Sequence, residues 1–149
     1  MVDNDIFHTI VNHTPLISID FIVKDKDERI LLGKRRNKPA QGFYFTLGGR
    51  IYKNETISNA LKRIAVMELG IELKEEPKFI GVFEHFYQDS IFDETSTHYI
   101  NFGYEVKFSS LQNPPKEQHM EYQWFQLDEL LQSNTVHTYV KDYFKGNKR

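Results

Sequence analysis

Two adjacent glycines, Gly48 and Gly49, separate a strand-forming aromatic run from the longest helix that the sequence predicts. The run covers about 44–47, and the helix covers about 56–69, with Gly70 well placed to end it. Because glycine adopts backbone conformations that other residues avoid, the pair predicts a sharp turn between strand and helix. A strand, a turn and an amphipathic helix in this order require a fold in which helices pack against a sheet.

The predicted helix carries an acidic residue on the side that should face the core. At ~100° per residue, Ile57, Leu61 and Ile64 lie on one side of the helix. Glu68 falls in the middle of the same arc. If this carboxylate is enclosed, it needs a cation or an arginine as a partner, because burying it alone is costly. Alternatively, Glu68 reaches water, since it lies in the last turn before Gly70.

The rest of the chain predicts a mixture of strands and helices, and therefore an α/β fold. Predicted strands cover about 16–23, 30–32, 79–87, 97–107 and 122–125, and helical segments cover about 127–131 and 136–144. The polar segment 24–29 predicts a hairpin, and 38–42 predicts a loop. No internal repeat or linker divides the 149 residues, so we expect a single domain, 1–149.

Composition limits the possible partners. The chain has 19 basic and 21 acidic residues and a formal net charge of -2, so no overall basic field would attract nucleic acid or an anionic membrane. It has no cysteine, which excludes disulfides and thiolate metal sites and leaves oxygen or imidazole to bind a metal. The acidic start at Asp3 and Asp5 does not resemble a signal peptide, and no apolar run has membrane-spanning length. We therefore expect a cytoplasmic protein with neither nucleic-acid nor membrane partners.

The glycines and the helix match a known motif, the Nudix box G-x5-E-x7-R-E-U-x-E-E-x-G-U, in which U is a bulky aliphatic residue. The matching positions are Gly49, Glu55, Arg63, Glu68, Gly70 and Ile71. Two glutamates of the box are replaced by Ile64 and Met67, and one aliphatic position is Ala65. The chain thus resembles a Nudix hydrolase that keeps one inner carboxylate, Glu68. The resemblance implies the Nudix fold, a mixed β-sheet sandwiched between α-helices.

Segments outside the box resemble one Nudix subgroup, the GDP-mannose mannosyl hydrolases. They include 14–16, 20–23, 32–35, 39–42, 48–50, 85–87, 97–99 and 117–119. The resemblance implies hydrolysis of GDP-mannose, or of a related GDP-hexose such as GDP-glucose, to GDP and the free sugar. Water would attack the anomeric carbon of the sugar with inversion. The resemblance also implies one Mg2+ per subunit, with Mn2+ as an acceptable substitute, and a homodimer.

The same resemblance assigns candidate site residues. The metal ligands are the backbone carbonyl of Gly48 and the side chains of Glu68 and Gln118. The general base is His119, whose neutral imidazole can accept a proton from water. Catalytic or substrate-binding roles fall on Asp20, Arg35, Arg50, Arg63, His85, Tyr99 and Phe7, the last as a stacking partner for guanine. Arginine suits the diphosphate because its planar fork pairs with two phosphate oxygens.

Structural alternatives exist for several of these residues. Arg63 would only tie down its loop through Glu55, and His119 would be a surface-loop histidine. His85 would be a hydrogen-bonded core residue. Asp20 would point to solvent, and Tyr99 would only pack within its strand.

Two other functions compete with GDP-sugar hydrolysis. The first is a Nudix pyrophosphohydrolase that cleaves a nucleoside diphosphate derivative at phosphorus, which the loss of acids at Ile64 and Met67 disfavours. The second is an inactive Nudix module that only binds a nucleotide sugar. Retention of Glu68, Gln118 and His119 together disfavours the inactive module.

Overall fold

The strand β1 (Leu16–Lys24) organises the fold in this computed structural model, which describes residues 3–108 and 119–145. Seven of its nine residues are buried. It pairs in parallel with β6 (Thr97–Lys107) over its whole length. A strand paired on both edges and covered on both faces needs a nearly continuous apolar sequence, which explains the run found at 16–23.

Two strands share the other edge of β1. The strand β2 (Ile30–Arg35) pairs with β1 only through the last two residues of β1, and β4 (Leu47–Arg50) pairs with residues 18–21. The hairpin predicted at 24–29 is confirmed, but its strands separate soon after the turn. The remaining strands are β3 (Tyr44–Phe45) and β7 (His119–Phe125), both antiparallel to β2, and β5 (Lys78–Tyr87), which is antiparallel to β6 at the sheet edge.

The predicted long helix is present but has two parts. The helix α2 (Ile57–Ile64) begins where the Thr56 hydroxyl accepts a hydrogen bond from the Asn59 N–H, and a π-helical turn, Ala65–Leu69, continues it. Gly70 ends the helix in the left-handed conformation, with φ of 70°, as predicted. The expectation that Ile57 faces the core is wrong, because it lies in the first turn and is 43% exposed.

Helices cover both faces of the sheet, each over its own apolar cluster. Beneath α2 lie Ile19, Phe21, Val23, Leu31, Leu47, Leu61, Ile64 and Leu69. The opposite cluster lies beneath α3 (Leu127–Gln132) and α4 (Thr138–Asp142). It includes Ile22, Leu32, Phe45, Phe83, Phe125, Leu130, Val140 and Tyr143. Successive side chains of β1 therefore point to opposite faces of the sheet and pack into the two different apolar clusters.

One helix of the structure was not predicted from the sequence, and one predicted turn is part of a strand. The helix α1 (Asn4–His13) begins at Asp3, whose side chain accepts a hydrogen bond from the Ile6 N–H. Gly48 and Gly49 do not form a turn but lie inside β4. Gly48 is needed for another reason, since a Cβ there would lie 2.0 Å from the carbonyl oxygen of Ile19. Glycine thus allows β4 to approach β1 closely.

Candidate active site

Most of the residues assigned from the sequence line a single cavity of about 190 Å³ beside β1 and β4. They are Asp20, Arg35, Gly48, Arg50, Arg63, Glu68, His85 and Tyr99. These residues come from several strands and the α2 helix with its π-helical turn, so the sheet and this helix together position them. The cavity therefore combines carboxylates, guanidinium groups and aromatic rings within one enclosure.

Asp20 lies deep in this cavity rather than in solvent. Asp20 lies in β1, where it pairs with Gly48 of β4, and the residue is only 7% exposed. The Tyr143 hydroxyl donates a hydrogen bond to Asp20 Oδ2. Burial raises the pKa of Asp20 to about 6, against the lowering effects of the Tyr143 hydrogen bond, the Arg35 charge and the Thr46 hydrogen bond. Asp20 is therefore mainly ionised at neutral pH, although it is buried.

Two arginines bring positive charge to the cavity. Arg35 Nε donates a hydrogen bond to the Pro39 carbonyl oxygen at 3.1 Å, which fixes the side chain beside the 38–42 loop. Arg50 extends from the end of β4, and its guanidinium carbon lies 4.4 Å from the centre of the Phe7 ring. Phe7 itself does not line the cavity but supports Arg50 from α1. The two guanidinium groups can bind a diphosphate between them.

Arg63 binds Glu55 and so holds the loop after β4 in place, which is the structural alternative stated for it above. Its Nε and one terminal nitrogen donate to the two oxygens of Glu55, at 2.7 and 2.9 Å. The same terminal nitrogen donates to the carbonyl oxygen of Arg50 at 2.7 Å, and the guanidinium stacks over Tyr52 at 3.8 Å. The Arg63 hydrogen bonds hold the pKa of Glu55 below its usual range. Arg63 borders the cavity as well, so it links the loop after β4 to the cavity wall.

His85 belongs to both the core and the cavity. It is 2% exposed, and the Asn101 side-chain amide lies 2.8 Å from its Nδ1. The Tyr139 ring from α4 stacks on the imidazole, with centres 4.3 Å apart. Tyr99 lies on the neighbouring strand, where burial raises the pKa of its phenol. These aromatic groups form a wall suited to a flat or ring-shaped ligand.

Comparison with known proteins identifies the family. The model of the NUDIX domain matches residues 14–144. The chain belongs to the NUDIX family. The Low-salt glycan biosynthesis protein Agl8 of Haloferax volcanii is 34% identical over 143 residues, which cover 95% of this chain and 88% of Agl8.

Solved structures of NUDIX proteins share the fold. The MutT protein from Methanosarcina mazei Go1 has a TM-score of 0.72 at 19% identity, covering 89% of this chain and 92% of that chain. The NUDIX domain of Shewanella oneidensis NrtR, complexed with ADP ribose, has a TM-score of 0.64 at 15% identity, covering 96% and 90% respectively. The predicted Nudix fold, with a mixed sheet between helices, is confirmed. Membership of the family supports hydrolase activity.

NUDIX hydrolases use divalent cations, and the donor set in this cavity fits one. Gly48 and Glu68 both line the cavity, and backbone carbonyl and carboxylate oxygens are the ligands that Mg2+ prefers. Within residues 3–108 and 119–145, no three His, Asp or Glu side chains cluster closely enough to hold a metal ion. The Gly48 carbonyl and the Glu68 carboxylate therefore suit a metal ion that takes its other ligands from substrate phosphates and water.

Two residues of the NUDIX site prediction remain, Gln118 and His119. Gln118 is outside the described residues. The backbone of His119 pairs with that of Arg35 in β2, so His119 begins a strand and does not lie in a loop. Of the helices in the described ranges, none is long and apolar enough to cross a membrane.

Two polar residues in and beside the cavity of this NUDIX chain, Tyr143 and Thr46, were not predicted from the sequence. Tyr143 follows α4 and reaches Asp20 across 123 positions of sequence, so no local pattern reveals the contact. Thr46 occupies the single position between β3 and β4. A polar residue within an otherwise apolar, buried segment was the available signal for Thr46.

Proposed function

We propose that this NUDIX hydrolase cleaves a GDP-hexose such as GDP-mannose to GDP and the free sugar, with water attacking the anomeric carbon. The observation that carries the proposal is the cavity-facing side of α2 and its π-helical turn, which offers Glu68 but no second carboxylate. Ile64 is 1% exposed and packs against Gly49, and Met67 also borders the cavity. The helix positions that supply extra acids in the Nudix box therefore hold side chains that can neither bind a cation strongly nor accept a proton.

The arginines and Asp20 suit opposite ends of a nucleoside diphosphate sugar. Arg35 and Arg50 can pair with the diphosphate oxygens and hold the substrate in place. Asp20 is ionised and buried, so its negative charge stabilises the positive charge that develops on the sugar ring as the bond to the leaving oxygen breaks. Gly48, Glu68 and Gln118 are the residues that would hold a divalent cation, which would offset the charge on the departing GDP.

A base must take a proton from the attacking water. Asp20 already accepts a hydrogen bond from Tyr143 and faces Arg35, which suits charge stabilisation better than proton transfer. His119 is the remaining candidate from the resemblance, and it starts the strand that pairs with Arg35. We therefore assign the general base to His119, whose backbone neighbours that of an arginine that holds the substrate.

Related proteins agree with the general class of substrate. Agl8 is described as a glycan biosynthesis protein, and the NrtR domain was solved with ADP ribose. ADP ribose has a diphosphate between two sugar-containing groups, as GDP-mannose does. We include Mg2+ as the cofactor, with Mn2+ as a substitute, and a cytoplasmic homodimer in the proposal because the sequence resembles the mannosyl hydrolases.

Product analysis in oxygen-18 water tests the proposal. Incubation with GDP-mannose and Mg2+ should give GDP and mannose, with the label in mannose alone. Formation of GMP and mannose 1-phosphate, with label in a phosphate, would establish a pyrophosphohydrolase instead. Tight binding without turnover would establish the inactive module.

A further inference from the structure

The imidazole of His85 contacts a buried amide in the wall of the cavity. His85 and Asn101 are 2% and 3% exposed, and both line the cavity. Asn101 lies on β6 and His85 on β5, the strand paired with it. The Asn101 side-chain nitrogen, Nδ2, lies 2.8 Å from His85 Nδ1. The two side chains therefore form a hydrogen bond away from bulk water.

This contact determines which nitrogen of the ring carries the hydrogen. An amide nitrogen can only donate a hydrogen bond, so His85 Nδ1 must accept one and cannot itself carry a hydrogen. The hydrogen of the neutral imidazole is then on Nε2. Asn101 also opposes a half-turn of the ring, because the turned ring would place a carbon against the amide. Asn101 thus makes His85 a hydrogen-bond donor at Nε2.

Stacking fixes the plane of the same ring. The Tyr139 ring lies 4.3 Å from the imidazole, centre to centre, with an angle of 6° between the planes. The Tyr139 hydroxyl is itself anchored, since it donates to the Phe86 carbonyl oxygen at 2.9 Å and accepts from the Phe86 N–H at 3.0 Å. Tyr139 therefore sets the plane of the imidazole, and Asn101 sets the position of the N–H within that plane.

A fixed N–H donor on the cavity wall suits an oxygen atom of the substrate. Phosphate oxygens and the hydroxyl and ring oxygens of a hexose all accept hydrogen bonds. A donor that is already oriented binds such an oxygen without a further loss of side-chain freedom. If the hydrogen were on Nδ1 instead, His85 Nε2 would be an acceptor and would suit only those hydroxyls that donate.

We propose that Asn101 is a positioning residue, which holds His85 as the Nε2–H tautomer so that His85 donates a hydrogen bond to an oxygen of the bound substrate. The inference rests on the proposed function for the class of substrate. Asn101 acts through His85 and does not need to touch the substrate itself. Oxygens of the hexose and of the diphosphate share this acceptor chemistry, and binding of GDP distinguishes between them.

Nitrogen-15 NMR of the wild-type protein without ligand tests the tautomer directly. The protein is labelled in its histidines, and the His85 signals are those that disappear in His85→Phe. At neutral pH, His85 Nδ1 should lack a hydrogen and Nε2 should carry one. A hydrogen on Nδ1, in either the other neutral tautomer or the imidazolium, would overturn the inference. This measurement needs no substitution of Asn101, so it does not depend on how well an Asn101 variant folds.

A double-mutant cycle tests whether Asn101 acts through His85. The four proteins are wild type, Asn101→Leu, His85→Phe and the double variant. Asn101→Leu removes the amide but keeps a side chain of similar size, and it should lower kcat/KM for GDP-mannose about three- to tenfold, as for one neutral hydrogen bond. In the His85→Phe background, the same substitution should change kcat/KM by less than about twofold, because no imidazole remains to be positioned.

His98→Phe is the matched control for these kinetics. His98 also lies on β6, but its ring stacks on that of Phe86, with centres 4.3 Å apart, and it does not line the cavity. Its replacement should therefore change kcat/KM by less than about twofold.

Calorimetric titration of the same four proteins with GDP identifies the acceptor oxygen. Coupling between Asn101 and His85 with GDP-mannose alone would assign the hydrogen bond to the hexose, and coupling with GDP as well would assign it to the diphosphate. Equal losses from Asn101→Leu with and without His85, together with a lowered Tm, would give Asn101 a purely structural role and overturn the inference. If wild type binds GDP-mannose without hydrolysing it, the proposed function fails, and the same cycle measured on GDP-mannose affinity still decides the role of Asn101.

Discussion

Replacing Arg63 by methionine tests whether the loop after β4 depends on one guanidinium. Methionine keeps much of the apolar stem but removes both hydrogen bonds to Glu55 and the one to the Arg50 carbonyl. It also removes the cation over the Tyr52 ring. Glu55 then remains as a half-enclosed carboxylate without its partner.

The expected loss in the free energy of unfolding lies between the values for exposed and for buried ion pairs. Exposed ion pairs contribute ~0.2–1 kcal/mol, whereas removing one member of a fully buried pair costs ~3–5 kcal/mol. The Arg63 and Glu55 side chains are 24% and 14% exposed. We therefore expect Arg63→Met to lower the free energy of unfolding by ~2 kcal/mol, which corresponds to a fall in Tm of roughly 4–8 °C for a chain of this size.

Urea unfolding of four proteins measures the effect: wild type, Arg63→Met, Glu55→Gln and the double variant. The coupling energy between the two substitutions should be about 1 kcal/mol or more. Lys62→Met is the control, because Lys62 is an exposed neighbour and its replacement should change stability by less than ~0.5 kcal/mol. A loss below ~0.5 kcal/mol for Arg63→Met, or a coupling energy near zero, would refute the argument.

Three further predictions concern the metal, the base and pH. Glu68→Gln should weaken Mg2+ binding and depress activity strongly, whereas the exposed Glu72→Gln should not; calorimetry that finds two tight ions in wild type would contradict the single-ion site. His119→Gln should lower kcat by ~10²–10⁴-fold and remove the acid limb of the pH profile, with KM within a few fold; near-normal kcat would exclude His119 as the base. His137 caps α4, and burial lowers the pKa of its imidazole. The unfolded chain therefore binds more protons than the folded one, and stability is lost as the pH falls below about 6.5. His137→Asn keeps a capping group but removes the titrating imidazole. The difference between the urea midpoints of wild type and the variant should therefore shrink as the pH is lowered, and a constant difference would contradict the link between His137 protonation and stability.

The sequence predicts those elements whose signals are local. The strand predicted at 97–107 matches β6 (Thr97–Lys107), and Gly70 ends the helix where it was expected. The cavity residues could be assigned because they occur in motifs that the sequence itself displays. Local apolar patterns and short motifs therefore give much of the sheet and the candidate site.

The features that the sequence does not predict depend on contacts between residues distant in sequence or on the local backbone conformation. The partnership of Tyr143 with Asp20 joins the first strand to the end of the last helix, and only the fold brings them together. Glycine serves both turns and close backbone approaches, so composition alone does not separate a turn at Gly48 from a strand. The cap at Asp3 and the apolar Ile6 and Ile10 are local signals for α1, which was not predicted.

The π-helical turn at Ala65–Leu69 makes the chain tolerant of a change in length at one place. A π-helical turn holds more residues than an α-helical one, so it can absorb a one-residue insertion without moving the residues after it. Loss of the exposed Val66 could restore ordinary α-helical bonding and leave Glu68 directed into the cavity. The same deletion within Ile57–Ile64 would rotate Glu68 by ~100° relative to the face of the helix that packs on the sheet. Related chains that differ in length by one residue near Val66 can therefore share the same placement of this carboxylate.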